Sequence, residues 1–261
     1  MKRLISLLLI VVALLTFTVS CMPDASGDKA AIDKAGKIVV GVTVYPPMDY
    51  LDDNGNWTGF DAELAMMFAE SLGVNAQLVI IDWDTKAVEL QSNQIDLIWN
   101  GMTATEELDE KMDFSVSYAK NAQVAIVRKG STLTAADVQN ATIAVEAGSA
   151  GATVAEETIG ATKINKVGAM IDALNEVTAG TSEVAIVDIT MAQSIVGKGT
   201  YEDLMILDGA SYGDEIFAVG LRTNSDLKPL LDAFLREKYA DGTLTELAEK
   251  YGVGLNTDAL K

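Results

Sequence analysis

The sequence predicts an α/β protein built on parallel-rich sheets flanked by helices. Two observations predict it. Short apolar runs alternate along the chain with longer amphipathic stretches, the pattern of strand–helix–strand units. Several of those runs are also apolar throughout, as parallel strands covered on both faces must be.

Taken in order, "KIVVGVTV" (37–44) and "AQLVII" (76–81) read as buried strands. Between them "DAELAMMFAESLG" starts on an aspartate and ends on Gly73, the punctuation of a helix. "TKAVELQSN" reads as a helix and "IDLIW" as a strand; "AQVAIVRKG" and "ATIAVEAG" are strands. Two helices, "AGATVAEETIG" and "GAMIDALNEVTAG", flank the short strand "TKINKV". "EVAIVD", the helix "ITMAQSIVG", and the strands "DLMIL" and "EIFAVGL" follow. "SDLKPLLDAFLREKYADG" and "LTELAEKYG" close the chain as helices. There is no convincing internal repeat.

The first twenty residues stand apart. Lys2 and Arg3 precede an unbroken apolar run, Leu4 to Phe17, which ends in "TVSC". A basic start, an apolar stretch too short to span a bilayer stably and small residues after it describe an export signal. "MPDASGDKAA" then reads as a flexible tether over 21–36. Cys21 is the single cysteine, so no internal disulfide forms. Its place resembles a bacterial lipobox, with Thr18 at the position where leucine is favoured, and implies a lipid anchor through Cys21. Plain secretion with Cys21 left in the tail is the alternative.

At 261 residues and 49% apolar, the chain can bury one large core or two smaller lobes. Removing residues 1–20 takes the formal charge from −19 to −21, because Lys2 and Arg3 leave and no acid does. So acidic a surface repels phosphate backbones and argues against nucleic acid as a partner. There is no histidine. That excludes histidine-based triads and removes the commonest metal ligand. Neither metal nor cofactor is expected.

Ligands of open parallel sheets gather beyond the carboxyl ends of the strands. Three strands end suggestively. One runs into Asn100-Gly101-Met102-Thr103, one into Gly148-Ser149-Ala150-Gly151, and one into Asp188. Exposed N–H groups and a hydroxyl suit an anion; a carboxylate suits an ammonium. Taken alone, Asp188 is better read as a helix N-cap, and Ser149 has the same competing reading.

"VYPPMDYLDDNGNWTGFDAELAMMFAESLG", "NGMTATEE…MDFSVSY" and "DGTLTELAEKYG" occur in this order over about 37–252. Together they resemble the polar-amino-acid family of bacterial extracellular solute-binding proteins (family 3). The resemblance implies a two-lobe, periplasmic-binding-protein-like (type II) fold. Residues 37–123 plus 213–261 would form lobe 1 and 124–212 lobe 2, with a two-strand hinge near 121–124 and 211–214. It also implies an amino acid or related small amine bound in the cleft, and an ABC permease as membrane partner. Carried over by position, Tyr45 and Trp83 are aromatic walls. Asn100, Gly101 and Thr103 face the ligand from lobe 1, Ser149 and Ala150 take a carboxylate, and Asp188 takes an α-ammonium. Asp61 is expected to cap its helix. An enzyme on the same fold, resembling cyclohexadienyl dehydratase, is the alternative, with Glu146 or Asp188 as general acid. No catalytic residue is otherwise assigned.

One departure is sharp. The family signature runs Thr-x-Thr-x-Glu-Arg, and here Thr103-Ala104-Thr105-Glu106-Glu107 is followed by Leu108. Leucine cannot form the bidentate fork that grips a carboxylate. Three explanations stay open: a ligand without an α-carboxylate, another cation such as Lys86 or Lys111, or lost amino-acid binding. An acid three residues before the first aromatic wall often serves basic ligands; Val42 stands there. Glu146 could face a cation instead, or be a solvated strand-end acid.

Overall fold

The computed structural model describes residues 27–261. The expected export signal and Cys21 lie outside them, within residues 1–26. The chain opens with α1 (Asp28–Ala35), β1 (Lys37–Val42), β2 (Tyr50–Leu51), β3 (Trp57–Thr58), α2 (Phe60–Ser71) and β4 (Asn75–Ile80). A short 3-10 turn at Trp83–Thr85 leads into α3 (Lys86–Gln91), then β5 (Leu97–Ile98), α4 (Glu106–Asp109) and β6 (Asp113–Phe114). The long β7 (Ala119–Arg128) precedes β8 (Ile143–Glu146), α5 (Ala150–Thr153), β9 (Ile164–Val167), α6 (Met170–Ala179), β10 (Val184–Asp188) and α7 (Ile189–Ile195). Then come β11 (Leu204–Phe217), β12 (Gly220–Leu221), α8 (Lys228–Ala240), α9 (Thr243–Tyr251) and α10 (Thr257–Leu260).

Two five-stranded sheets make two lobes. One has the order β4-β1-β5-β12-β6, the other β11-β7-β10-β8-β9. In each, three neighbouring strands are parallel and the remaining strands pair antiparallel. The all-apolar runs earned their place: every residue of β8 and β10 is buried. Helix α6 buries Met170, Ala173, Leu174 and Val177, the i, i+3, i+4, i+7 stripe of a helix covering a sheet. No helix among the described residues is long and apolar enough to cross a membrane.

Strands β7 and β11 pair along their length and link the lobes. Their far ends reach the first lobe, where Phe217 bridges to Thr103 and Ala119 to Leu255. The sequence predicts "DLMIL" and "EIFAVGL" as separate strands; the "GL" of the second is β12 of the other sheet, while its "EIF" continues from the first as β11. It is one strand, bent at register shifts between Ile206 and Ser211 and between Tyr212 and Glu215. Gly209 and Gly213 sit there at φ +74° and +69°, so what looks like a turn is a pair of bulges.

The tether expectation is corrected over its second half. Residues 28–35 form α1, which buries Ile32. Asp28 holds Arg222 at 2.8 Å, and the same guanidinium reaches Asp96 at 3.0 Å and the carbonyls of Leu90 and Ile95. A helix tied down by a partly buried arginine hub belongs to the folded body.

Candidate functional site

The two lobes meet over the carboxyl ends of β5, β8 and β10. Asp188 ends β10 and is 3% exposed. It occupies the N-cap position of α7, yet its side chain caps nothing. It turns instead toward lobe 1, where Tyr45 Oη donates to its Oδ2 at 2.5 Å. On the other oxygen it accepts from the amides of Asn121 (2.8 Å) and Gln123. Both amides also donate to Glu215 Oε2, which takes a third bond from Thr103 Oγ1 at 3.0 Å. Burial first, and the Glu215 charge second, push the Asp188 carboxyl up to about 7.

Tyr45 is delivered by a tightly bonded loop. Its N–H donates to the Asp49 carbonyl and its own carbonyl accepts from Met48 and Asp49 N–H groups. Asn100 clamps this loop: its amide donates to Thr43 O and Asp49 Oδ2, and its oxygen accepts from Thr43 N and Oγ1. With donors and acceptor committed, the Asn100 side chain organises lobe 1 rather than reaching outward. Gly101 follows at φ +55°, and a Cβ there would lie 2.6 Å from the Tyr45 ring. Only glycine gives both that backbone and that approach.

Asp61 is not the helix cap. Gly59 holds that position, and Asp61, inside the first turn of α2, is fully buried. Its Oδ2 accepts from Gly101 N–H at 2.6 Å and Tyr118 Oη at 2.8 Å, while burial pushes its carboxyl up to about 7. It fixes the strand end that the ligand side of lobe 1 depends on.

The opposite end of the cleft is built differently. Trp83 is 6% exposed and Lys86 5%. The Lys86 ammonium donates to Trp83 O at 3.0 Å and, across the cleft, to Gly148 O at 2.8 Å; it stands 4.8 Å from the Trp83 ring centre. Burial pulls it down to about 8. Leu108 packs against an apolar cluster that includes Ile81, Trp83 and Met102. Lys111 is exposed and paired with Glu107 at 2.7 Å. Of the two cations that sequence left open, Lys86 is the buried one. Across from it, Ser149 caps α5 by accepting from Ala152 N–H and donating to Glu146 O.

Two chambers occupy the interlobe gap. The smaller, about 20 Å³, is bordered by all eight predicted residues: Tyr45, Trp83, Asn100, Gly101, Thr103, Ser149, Ala150 and Asp188. The larger, about 260 Å³, lies toward Lys86 and Leu108 and shares Trp83, Thr103, Ser149 and Ala150 with the first. Glu146 also borders the smaller chamber. It is 3% exposed, its Oε1 has no hydrogen-bond partner, and burial followed by the Asp188 charge pushes it up to about 8. It is not a solvated acid. Sequence reasoning did not single out Asn121, Gln123 or Glu215. The polar residues at the start of the apolar run "KNAQVAIV" were the available signal.

Two mixed sheets joined by paired crossing strands, with polar strand ends facing each other over a gap, define a type II periplasmic binding protein. The chain belongs to the bacterial extracellular solute-binding proteins, family 3, whose model matches residues 38–254. It is similar to the L-cystine-binding protein TcyJ of Escherichia coli strain K12, at 28% identity over 84% of either chain. Among solved structures, a mutant of ArgBP from T. maritima superposes with a TM-score of 0.80 at 31% identity, covering 86% of this chain and 98% of that one. A substrate-binding protein of an ABC uptake transporter from Streptococcus pneumoniae, with bound histidine, gives 0.79 at 30% identity over 87% and 96%.

Proposed function

We propose that this protein delivers an α-amino acid to an ABC permease, gripping it as a zwitterion stretched between Asp188 and Lys86. The carrying observation is the placement of a buried carboxylate and a buried ammonium on two neighbouring chambers that share Trp83, Thr103, Ser149 and Ala150. The relative named for L-cystine, the one holding histidine and the arginine-bound form of ArgBP from T. maritima support the amino-acid class.

In this reading the ligand ammonium takes over the Asp188 oxygen now held by Tyr45 Oη, and the Gly101 carbonyl and Thr103 hydroxyl assist. The carboxylate lies against the Lys86 ammonium and the Ser149–Ala150 turn. Lys86 thus does the work of the arginine that Leu108 replaces. Its two present acceptors are neutral carbonyls, so a carboxylate is a better partner than it now has. The smaller chamber has room for about one water. Ligand therefore enters with the lobes apart, and the crossing strands near 121–124 and 211–214 are the hinge, joining lobe 1 (37–123 plus 213–261) to lobe 2 (124–212).

Binding without turnover follows, since the acids of the cleft are here assigned to holding charge. Residues 1–20 direct export and Cys21 carries the lipid anchor; Cys21→Ala would release the protein into the medium. The central test is thermal denaturation of the purified exported protein against α-amino acids, their decarboxylated amines and betaines. An amino acid at a hundred times its Kd adds about 2.7 kcal/mol. Stabilisation by the amines alone would defeat the zwitterion reading, and product detected by mass spectrometry would favour the dehydratase-like alternative.

A further inference from the structure

We infer that Glu146 is the residue that selects the side chain of the ligand, and that the side chain it selects is cationic. The inference rests on the zwitterion reading above and adds to it a second positive charge at a defined place.

Glu146 ends β8 with every residue of its strand buried, so the carboxyl group is carried to the strand tip and cannot swing out to solvent. It borders the same small chamber as Asp188, Tyr45 and Trp83. Burying an ionised carboxylate without a counter-charge is among the costliest changes, so without ligand Glu146 keeps its proton and ionises only where a cation meets it. Within lobe 2 no cation does: the Met170 backbone N–H acts on the carboxyl, and Oε1 is unpartnered. The charged groups that act on it are Asp188, Asp172 and Lys86. Two are acids. The third, Lys86, spends its ammonium on the carbonyls of Trp83 and Gly148 and forms no ion pair with Glu146.

Lobe 1 makes the same point from the other side. Val42, the position at which the family resemblance would put an acid for basic ligands, is fully buried and borders neither chamber. The acids that border the smaller chamber, Glu146 and Asp188, both come from lobe 2, whereas Asp84 and Glu107 of lobe 1 border only the larger one. Asp188 is occupied by the α-ammonium in the zwitterion reading, so Glu146 is left for a further cation beside the Trp83 face, where a desolvated cation is also favoured by the ring. An L-lysine, L-ornithine or L-arginine side chain has that charge; their neutral counterparts L-norleucine and L-citrulline do not.

The test is isothermal titration of the purified exported protein, wild type and Glu146→Gln, with L-lysine, L-norleucine, L-arginine and L-citrulline. The wild type should prefer each cationic ligand over its neutral counterpart by at least tenfold. In Glu146→Gln that ratio should fall toward one. If both affinities drop together and the ratio stays, Glu146 acts only as a distant counter-charge for Lys86 and the inference fails. Wild-type preference for the neutral ligands also overturns it while leaving the zwitterion reading intact. Binding of none of the four, with an amine lacking a carboxylate bound instead, removes both.

Discussion

The two ends of the cleft solve opposite problems by different means. At the acid end Asp188 has its acceptors filled from three directions, by Tyr45, Asn121 and Gln123, and the space beside it is about 20 Å³. At the basic end the space beside Leu108 is about 260 Å³, and Lys86 is the buried one of the three lysines, with Lys111 and Lys166, that border it. A planar arginine arrives pre-organised for a carboxylate; a lysine brings one point charge on a four-carbon stem. In the proposed reading the carboxylate's cation is Lys86 in place of an arginine at 108, and the basic end has room where the acid end has little.

The acid end is the place to break this picture hardest. Asp188→Ala leaves the ligand ammonium without its counter-charge and should weaken amino-acid binding by about 3–4 kcal/mol, at least a hundredfold in Kd by calorimetry. A loss under threefold would show that the two ends are not opposed as described. Asp61→Ala tests the support behind that end. It strands the Gly101 N–H and Tyr118 hydroxyl and should lower unfolding free energy by about 2–3 kcal/mol in denaturant.

The basic end sharpens the comparison. Lys86→Met should cost amino acids about 1.5–3 kcal/mol while leaving decarboxylated amines nearly as tightly bound. Adding Leu108→Arg to that variant should recover most of the loss. Leu108→Arg alone should gain less than threefold, because the carboxylate already has its cation; a large gain would make Lys86 a bystander.

The smallest effect concerns Glu146 without ligand. Its folded carboxyl holds a proton until about pH 8, whereas the unfolded one lets go near its ordinary 4.5. Between those values the folded state binds more protons, so its contribution to stability is present at low pH and is lost as pH rises toward 8. Glu146→Gln should therefore raise the ligand-free melting temperature at pH 8.5 relative to wild type, by a few degrees, with the gap closing by pH 5.

Much of this was legible in sequence, for stated reasons. Fully apolar runs gave the buried strands β8 and β10, because a strand covered on both faces admits no alternation. Asp188 was readable because a parallel strand must deliver its last residue to the ligand-binding edge. Three things escaped. The bend in β11 hid a continuous strand behind two glycines. Helix α1 hid in a polar segment, because its anchor is Arg222, nearly two hundred residues away. Asp61 looked like a cap because an aspartate near a helix start usually is one; its real partners, Gly101 and Tyr118, are 40 and 57 positions distant. Local pattern reports local bonds. The network of Asn121, Gln123 and Glu215 is long-range throughout.

That network has one more consequence. Asn121 and Gln123 belong to a crossing strand, Glu215 to its partner, and both amides touch the aspartate at the cleft floor. If these strands are the hinge and Asp188 takes the ligand's ammonium, as proposed, the parts that bend and the part that feels charge share the same four side chains, with no relay in between. A cation arriving at Asp188 would then re-divide the amide protons of the bending strands directly, and the protein's outline would become a gauge of its cargo's charge.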